Sequence, residues 1–159
     1  MPRQLPTCIT MALMSFAALA HADSPPAIEF LNSGKIVPAT LPFSEAVRVG
    51  DTLYLSGQVG IKPGTLELVP GGIQAEARQT LENIRTTLEA HGYSMRDIVK
   101  CTVMLADIAE WATFNEVYKT FFSPPYPARS ALGANGLAIG ARVEVECLAV
   151  TARAGADRP

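Results

Sequence analysis

Two carboxylates stand two residues apart in the run Val143-Glu144-Val145-Glu146-Cys147-Leu148. Alternation of apolar and acidic residues is the pattern of a half-buried strand. It puts Val143, Val145 and Cys147 on one face and Glu144 and Glu146 on the other. Paired acids suit a solvated sheet surface, and they equally suit acid–base work on a bound water. The pattern alone leaves both readings open. Arg129 follows a proline-containing turn in Tyr126-Pro127-Ala128-Arg129-Ser130. Its planar fork matches a carboxylate through two parallel hydrogen bonds, although a lone arginine more often serves a surface or structural ion pair. Ser56, ahead of Gly57, and Asn115 in a helical segment are ordinary polar residues that capping or exposure would explain.

These residues need elements to hold them. Ala46 to Val49 and Thr52 to Ser56 flank Gly50-Asp51, which is a hairpin signal. The stretch from Gly57 to Gly72 is dense in Gly and Pro and reads as loop with room for one short strand. From Gly72 the period changes: Ile73, Ala77, Leu81, Ile84 and Leu88 recur at helical spacing, and Gly92 is placed to stop the helix. Ile98 to Leu105 is β-branched and apolar, a strand. Asp107 to Glu110 reads as a capping box opening a second helix. Its stripe of Trp111, Phe114, Tyr118 and Phe121 predicts core packing, with Pro124 and Pro125 ending it. Arg129 to Ala134 and Arg142 to Thr151 supply two closing strands, joined by a flexible loop. The order ββ(β)αβαββ predicts an α+β domain with both helices on one sheet face. The other face then needs a partner surface.

A chain of 159 residues, 48% hydrophobic and 18% charged, with net charge −2, fits one globular domain. No basic block marks a nucleic-acid footprint, so RNA or DNA is not expected as a partner. At the N-terminus, Arg3, the apolar run from Cys8 to Ala20 and the small residues of Ala20-His21-Ala22 have the order of a secretory signal. That run is too short to span a bilayer comfortably. The expected organisation is a signal at 1–22, a linker with at most one short edge strand at 23–40, the folded domain at 41–152 and a tail at 153–159. Cleavage after Ala22 would deliver the protein to the periplasm or the exterior, with no membrane attachment left. Cys101 and Cys147 would remain there and could pair. Their apolar, strand-like surroundings favour buried free thiols instead. Cysteine spacing shows no metal signature, and His91 near a helix end reads as a C-terminal cap rather than a ligand.

At these same segments the chain resembles the RidA (YjgF) family. LPFSEAVRVGDTLYLSGQVG resembles its N-terminal hairpin, and QAEARQTLENIRTTLEAHGYSMRDIVKCTVMLAD its first helix and following strand. FNEVYKTFF, YPARS and VEVECLAV resemble its second helix and closing strands. The match runs in consistent order from about Pro42 to Val150. The resemblance implies a chorismate-mutase-like fold, a homotrimer with active sites between subunits, and hydrolysis of enamines and imines such as 2-aminoacrylate to 2-keto acids and ammonia. It implies no metal or organic cofactor. Matched position by position, Arg129 becomes the carboxylate binder and Glu144 the water-positioning acid. Ser56, Gly57, Phe43, Asn115 and Ala131 become substrate-pocket residues. Two of these depart from the family pattern: Phe43 stands where a tyrosine is frequent, and Ala131 where a cysteine is frequent. Rival readings are a non-catalytic trimer that binds small carboxylates or protects unfolded proteins, an endoribonuclease-like enzyme, and, on fold analogy alone, a pericyclic enzyme.

Overall fold

Residues 25–151 are described by a computed structural model. The signal expected at 1–22 and the tail expected at 153–159 lie outside the described residues. Hairpin formation at Gly50-Asp51 is as the turn residues dictate. Gly50 takes a positive φ of 58°, open to glycine at no cost. It joins β2 (Ala46–Val49) to β3 (Thr52–Leu55) in the register Ala46↔Leu55 and Val49↔Thr52. The short edge strand is present as β1 (Ile28–Leu31), antiparallel to β2. β4 (Gln58–Val59) follows β3 almost at once. α1 (Gly72–Ala90) then buries the whole predicted stripe of Ile73, Ala77, Leu81, Ile84 and Leu88. His91 caps α1 through its backbone, and Gly92 follows at φ 83°. The His91 ring folds back to 3.5 Å from the buried Glu45 carboxylate.

β5 (Ile98–Leu105), α2 (Trp111–Tyr118), β6 (Ala128–Gly133) and β7 (Val143–Val150) complete the chain. The strands form one mixed sheet in the order β1-β2-β3-β7-β5-β6, with β4 also pairing β7. β5 and β6 are parallel, with α2 lying in the connection between them, and every other pairing is antiparallel. α1 packs on β4, β7 and α2, so the helices cover one face. Val143, Val145, Cys147 and Ala149 of β7 face the helices and are buried. The opposite face carries no helix. On it Phe30, Val47, Tyr54 and Leu148 lie in one row across β1, β2, β3 and β7. Ile28, Phe30, Tyr54 and Leu132 are exposed there.

Two expectations are corrected. Cys101 and Cys147 are not free thiols: they are joined by a disulfide. The alternation that buries them also sets them directly opposite on adjacent antiparallel strands, with Cα atoms 4.1 Å apart. Closing that loop across a separation of 46 residues restricts the unfolded chain, a contribution of about 4 kcal/mol on the chain-entropy account. The second helix also differs in its first turn. Asp107 accepts from Ala109 N at 2.9 Å, but it caps a 3₁₀ turn, Ile108–Glu110, rather than an α-helix. Glu110 does not close the box; its carboxylate pairs with Arg142. The buried stripe is Phe114, Tyr118 and Phe122, while Phe121 is half-buried and Trp111 is 41% exposed. Trp111 projects beside the edge strand β6, where it meets Arg129.

Candidate active site

Alternation on β6 decides which way Arg129 points. It is the register partner of Cys101, a core residue of β5, so it emerges on the helix side of the sheet. There α2 receives it. Arg129 Nη2 donates to Asn115 Oδ1 at 2.9 Å, and the guanidinium lies 4.5 Å from the Tyr118 ring centre and 5.7 Å from that of Trp111. One of five guanidinium donors is spent on Asn115, and the rings fix the plane of the fork. Arg129, Asn115, Tyr118, Lys119 and Tyr126 line a cleft of about 330 Å³. Burial raises the Tyr118 phenol above its usual value, and the Arg129 charge pulls it the other way. Ala131, two residues along, shares the face of Arg129 and is exposed.

Glu144 belongs to the other face. β7 alternates, and Glu144 lies between Val143 and Val145, which point into the core. A bulge places a second group beside it. Tyr54 pairs with Leu148 and Gln58 with Val145, so residues 55–57 on one strand face only 146–147 on the other. Such a bulge breaks the ladder and lets the strand bend. The Glu144 carboxyl group fills the space over the Gly57 Cα, where a Cβ would come within 2.9 Å of its Cδ. Only glycine permits that approach. Ser56 is fixed beside it: its Oγ donates to Ser44 O at 2.7 Å, which commits the hydroxyl proton and leaves the oxygen as an acceptor. Glu144, Ser56, Gly57 and Phe43 all line one cleft of about 440 Å³. Burial first, and the neighbouring Glu146 carboxylate second, hold the Glu144 carboxyl above the usual glutamate range. Glu146 itself is exposed and lines a different cleft with Lys100 and Tyr54.

The candidate residues therefore form two groups, not one. Glu144 is the partner of Met104, and Met104 of Leu132, so Arg129 lies two strands across and three residues along from Glu144. Sheet geometry puts their Cα atoms about 14 Å apart, with side chains on opposite faces. No single copy of the chain brings these two side chains onto one ligand. Aromatic spacing predicts core packing for both Trp111 and Tyr118; Tyr118 is buried as expected and also faces Arg129, whereas Trp111 is exposed beside it, and neither contact with Arg129 is readable from the spacing. Their spacing on α2 was visible, but the packing of α2 against the edge strand was not.

A small mixed-sheet α+β domain with a carboxylate over a glycine bulge, and an arginine on the far face, defines the class. Residues 34–151 match the family described as Endoribonuclease L-PSP, and the chain belongs to that family, known as RidA/YjgF. It is 45% identical over 120 residues to the 2-iminobutanoate/2-iminopropanoate deaminase of Mus musculus, covering 76% of this chain and 89% of the mouse protein. Among solved structures, RidA from an Antarctic Psychrobacter superposes with a TM-score of 0.73 at 41% identity, over 77% of this chain and 99% of that one. E. coli TdcF with bound serine superposes with a TM-score of 0.71 at 35% identity, over 78% of this chain and 99% of that one.

Proposed function

We propose that this chain is an imine deaminase that hydrolyses 2-imino acids to 2-keto acids and ammonia, in sites shared between copies of a homotrimer. The observation that carries the reading is the division of the site. Arg129 and Glu144 occupy opposite faces of one sheet, each beside an open cleft. The helix-free face bears exposed Phe30 and Tyr54, an apolar surface of the kind subunit contacts cover. When the Glu144 face of one copy meets the edge strand of the next, an arginine fork and a carboxylate converge. The named activity of the mouse relative and the bound serine of TdcF support a small carboxylate-bearing ligand.

In that site Arg129 holds the substrate carboxylate bidentately, which fixes the adjacent C=N carbon near a water. Glu144 takes a proton from the water as its oxygen bonds to that carbon. That proton passes to nitrogen to give the carbinolamine; its hydroxyl proton is then taken by Glu144 and delivered to the amine, so that the C–N bond breaks with loss of NH3 as the C=O forms. Imine and water are consumed; keto acid and ammonia leave. A carboxyl held above the usual range makes a stronger base than an ordinary glutamate and remains able to return the proton. The cleft beside Glu144 is lined by apolar groups and a carboxylate, which favours this reading over binding of RNA phosphates.

Export is part of the proposal. The N-terminal pattern of Arg3, the apolar run and Ala20-His21-Ala22 supports it, and a disulfide suits an oxidising compartment such as the periplasm. The deciding experiment mixes two disabled proteins. Arg129→Lys and Glu144→Gln are co-refolded, and ammonia release from a freshly generated 2-imino acid is measured. Random assortment in a shared-site trimer regenerates about a quarter of the intact sites. Recovery absent from the mixture, while each variant stays trimeric by light scattering, rejects the shared site.

A further inference from the structure

We infer that Glu45 is a positioning residue for the Glu144 site: its buried carboxylate, held by Ser33 and His91, fixes the backbone that carries Ser56 and Gly57. The inference takes the catalytic role of Glu144 from the deaminase reading and adds a residue behind it. Ser56 is tied twice to the segment before β2. Its N donates to Glu45 O at 3.1 Å and its Oγ to Ser44 O at 2.7 Å, so both of its donors are committed there. The next residue is Gly57, over which the Glu144 carboxyl group lies. The approach is so close that a Cβ on Gly57 would stand 2.9 Å from Glu144 Cδ, and movement of residues 56–57 therefore changes where that carboxyl can rest. Small displacements of a reacting group cost rate far out of proportion to their size.

What fixes Glu45 is its own side chain. It is 1% exposed, and a carboxylate at that depth is stable only where donors surround it. Ser33 supplies two: its N lies 3.0 Å from Oε2, and its Oγ lies 2.9 Å from Oε1 and 2.7 Å from Oε2. His91 Nε2 is buried, makes no hydrogen bond of its own and faces Oε1 at 3.5 Å, so the polar group it serves is the Glu45 carboxylate. His91 is fixed in turn by Arg48, whose Nη2 donates to His91 O at 2.8 Å. On the backbone side, Glu45 N donates to Asn32 Oδ1 at 2.9 Å. The segments that follow β1 and α1 thus meet the segment that precedes β2 at one carboxylate, directly behind Ser56. All of these contacts lie within one copy, so they stand whichever surface a second copy covers.

The test compares Glu45→Gln, which keeps the shape and still accepts from Ser33, with Glu45→Ala, which leaves Ser33 and His91 without an acceptor. Well below Tm, Glu45→Ala is expected to lower kcat for a 2-imino acid about tenfold with KM nearly unchanged, because Arg129 lies on the other face. Glu45→Gln should stay within about threefold of the unaltered protein. Residue-resolved amide hydrogen exchange reads the same effect without catalysis. The Ser56 N–H should exchange about tenfold faster or more in Glu45→Ala, while Val103 in the middle of β5 is unchanged. Where Glu45→Ala fails to fold, Ser33→Ala combined with His91→Ala leaves the carboxylate without its partners and should reproduce both changes. Unchanged kcat or unchanged Ser56 exchange overturns the inference. So does a Gln variant as slow as the Ala variant, or Ser56 exchange that rises only in step with Val103, which marks general loss of stability. If the unaltered protein hydrolyses no imine, the deaminase reading fails and exchange alone decides. Loss of protection confined to the surroundings of Ser56 then supports the positioning role, and its absence rejects it.

Discussion

The two halves of the site are built in different ways. The Arg129 half is local: Trp111, Asn115, Tyr118 and Arg129 come from one helix and the strand that follows it. Ring faces and one hydrogen bond fix the guanidinium within a single copy. The Glu144 half is assembled from afar. Phe43, Ser56 and Gly57 reach Glu144 through a bulged junction between β3, β4 and β7. On the proposed function, the local half is the one that recognises the substrate charge, with a guanidinium held in place by its own copy. The distant half gives a carboxyl raised above its usual range in a largely apolar cleft. Binding and chemistry should therefore fail separately when the halves are altered.

The largest effect is expected at Glu144. Glu144→Gln keeps shape but removes the base, and turnover should fall by roughly 100- to 1,000-fold, while affinity for a product-like 2-keto acid changes little. Titrating that keto acid alongside the rate measurement separates the two quantities. Arg129→Lys keeps charge but loses the fork. It should cost about one to two decades in kcat/KM, with the keto acid bound correspondingly more weakly. If both variants lose binding and turnover in the same proportion, the division between the halves is wrong.

Gly57→Ala tests the close approach. Its Cβ would collide with the Glu144 carboxyl group and push it aside. The expected loss is about tenfold in kcat, smaller than that of removing the base, with Tm little changed because the collision falls on a side chain at a cleft. The smallest effect belongs to Glu146→Gln. Glu146 helps raise the Glu144 pKa, so removing its charge lowers that pKa. Activity lost on acidification through Glu144 protonation should then persist to lower pH, with the plateau rate nearly constant. A pH–rate profile whose acid limb stays put, or moves up, separates Glu146 from Glu144.

Much of the scaffold is legible in local pattern. The Gly50-Asp51 turn, the α1 stripe and the alternation of β7 each follow from spacing within a few residues. What stays hidden depends on register between distant strands. Nothing in VKCTVML or VEVECLAV aligns Cys101 with Cys147, so burial was visible and pairing was not. The same gap conceals the face of Arg129: its strand is recognisable, but its parity against β5 is set by a parallel pairing across α2. Trp111 is ambiguous for another reason. Aromatic spacing marks a helix face without saying whether that face ends in the core or beyond the edge strand.

The Cys101–Cys147 link also bears on what a single break in the chain does to the molecule. It closes a ring that contains α2, Arg129, Glu144 and the turn carrying Ile139. A protease that cuts once anywhere in residues 102–146, for instance in the solvent-facing loop before β7, leaves both fragments covalently joined through β5 and β7, the strands at the middle of the sheet. A nicked molecule therefore keeps its two halves at high effective concentration, and a broken peptide bond in that ring does not set either of them free.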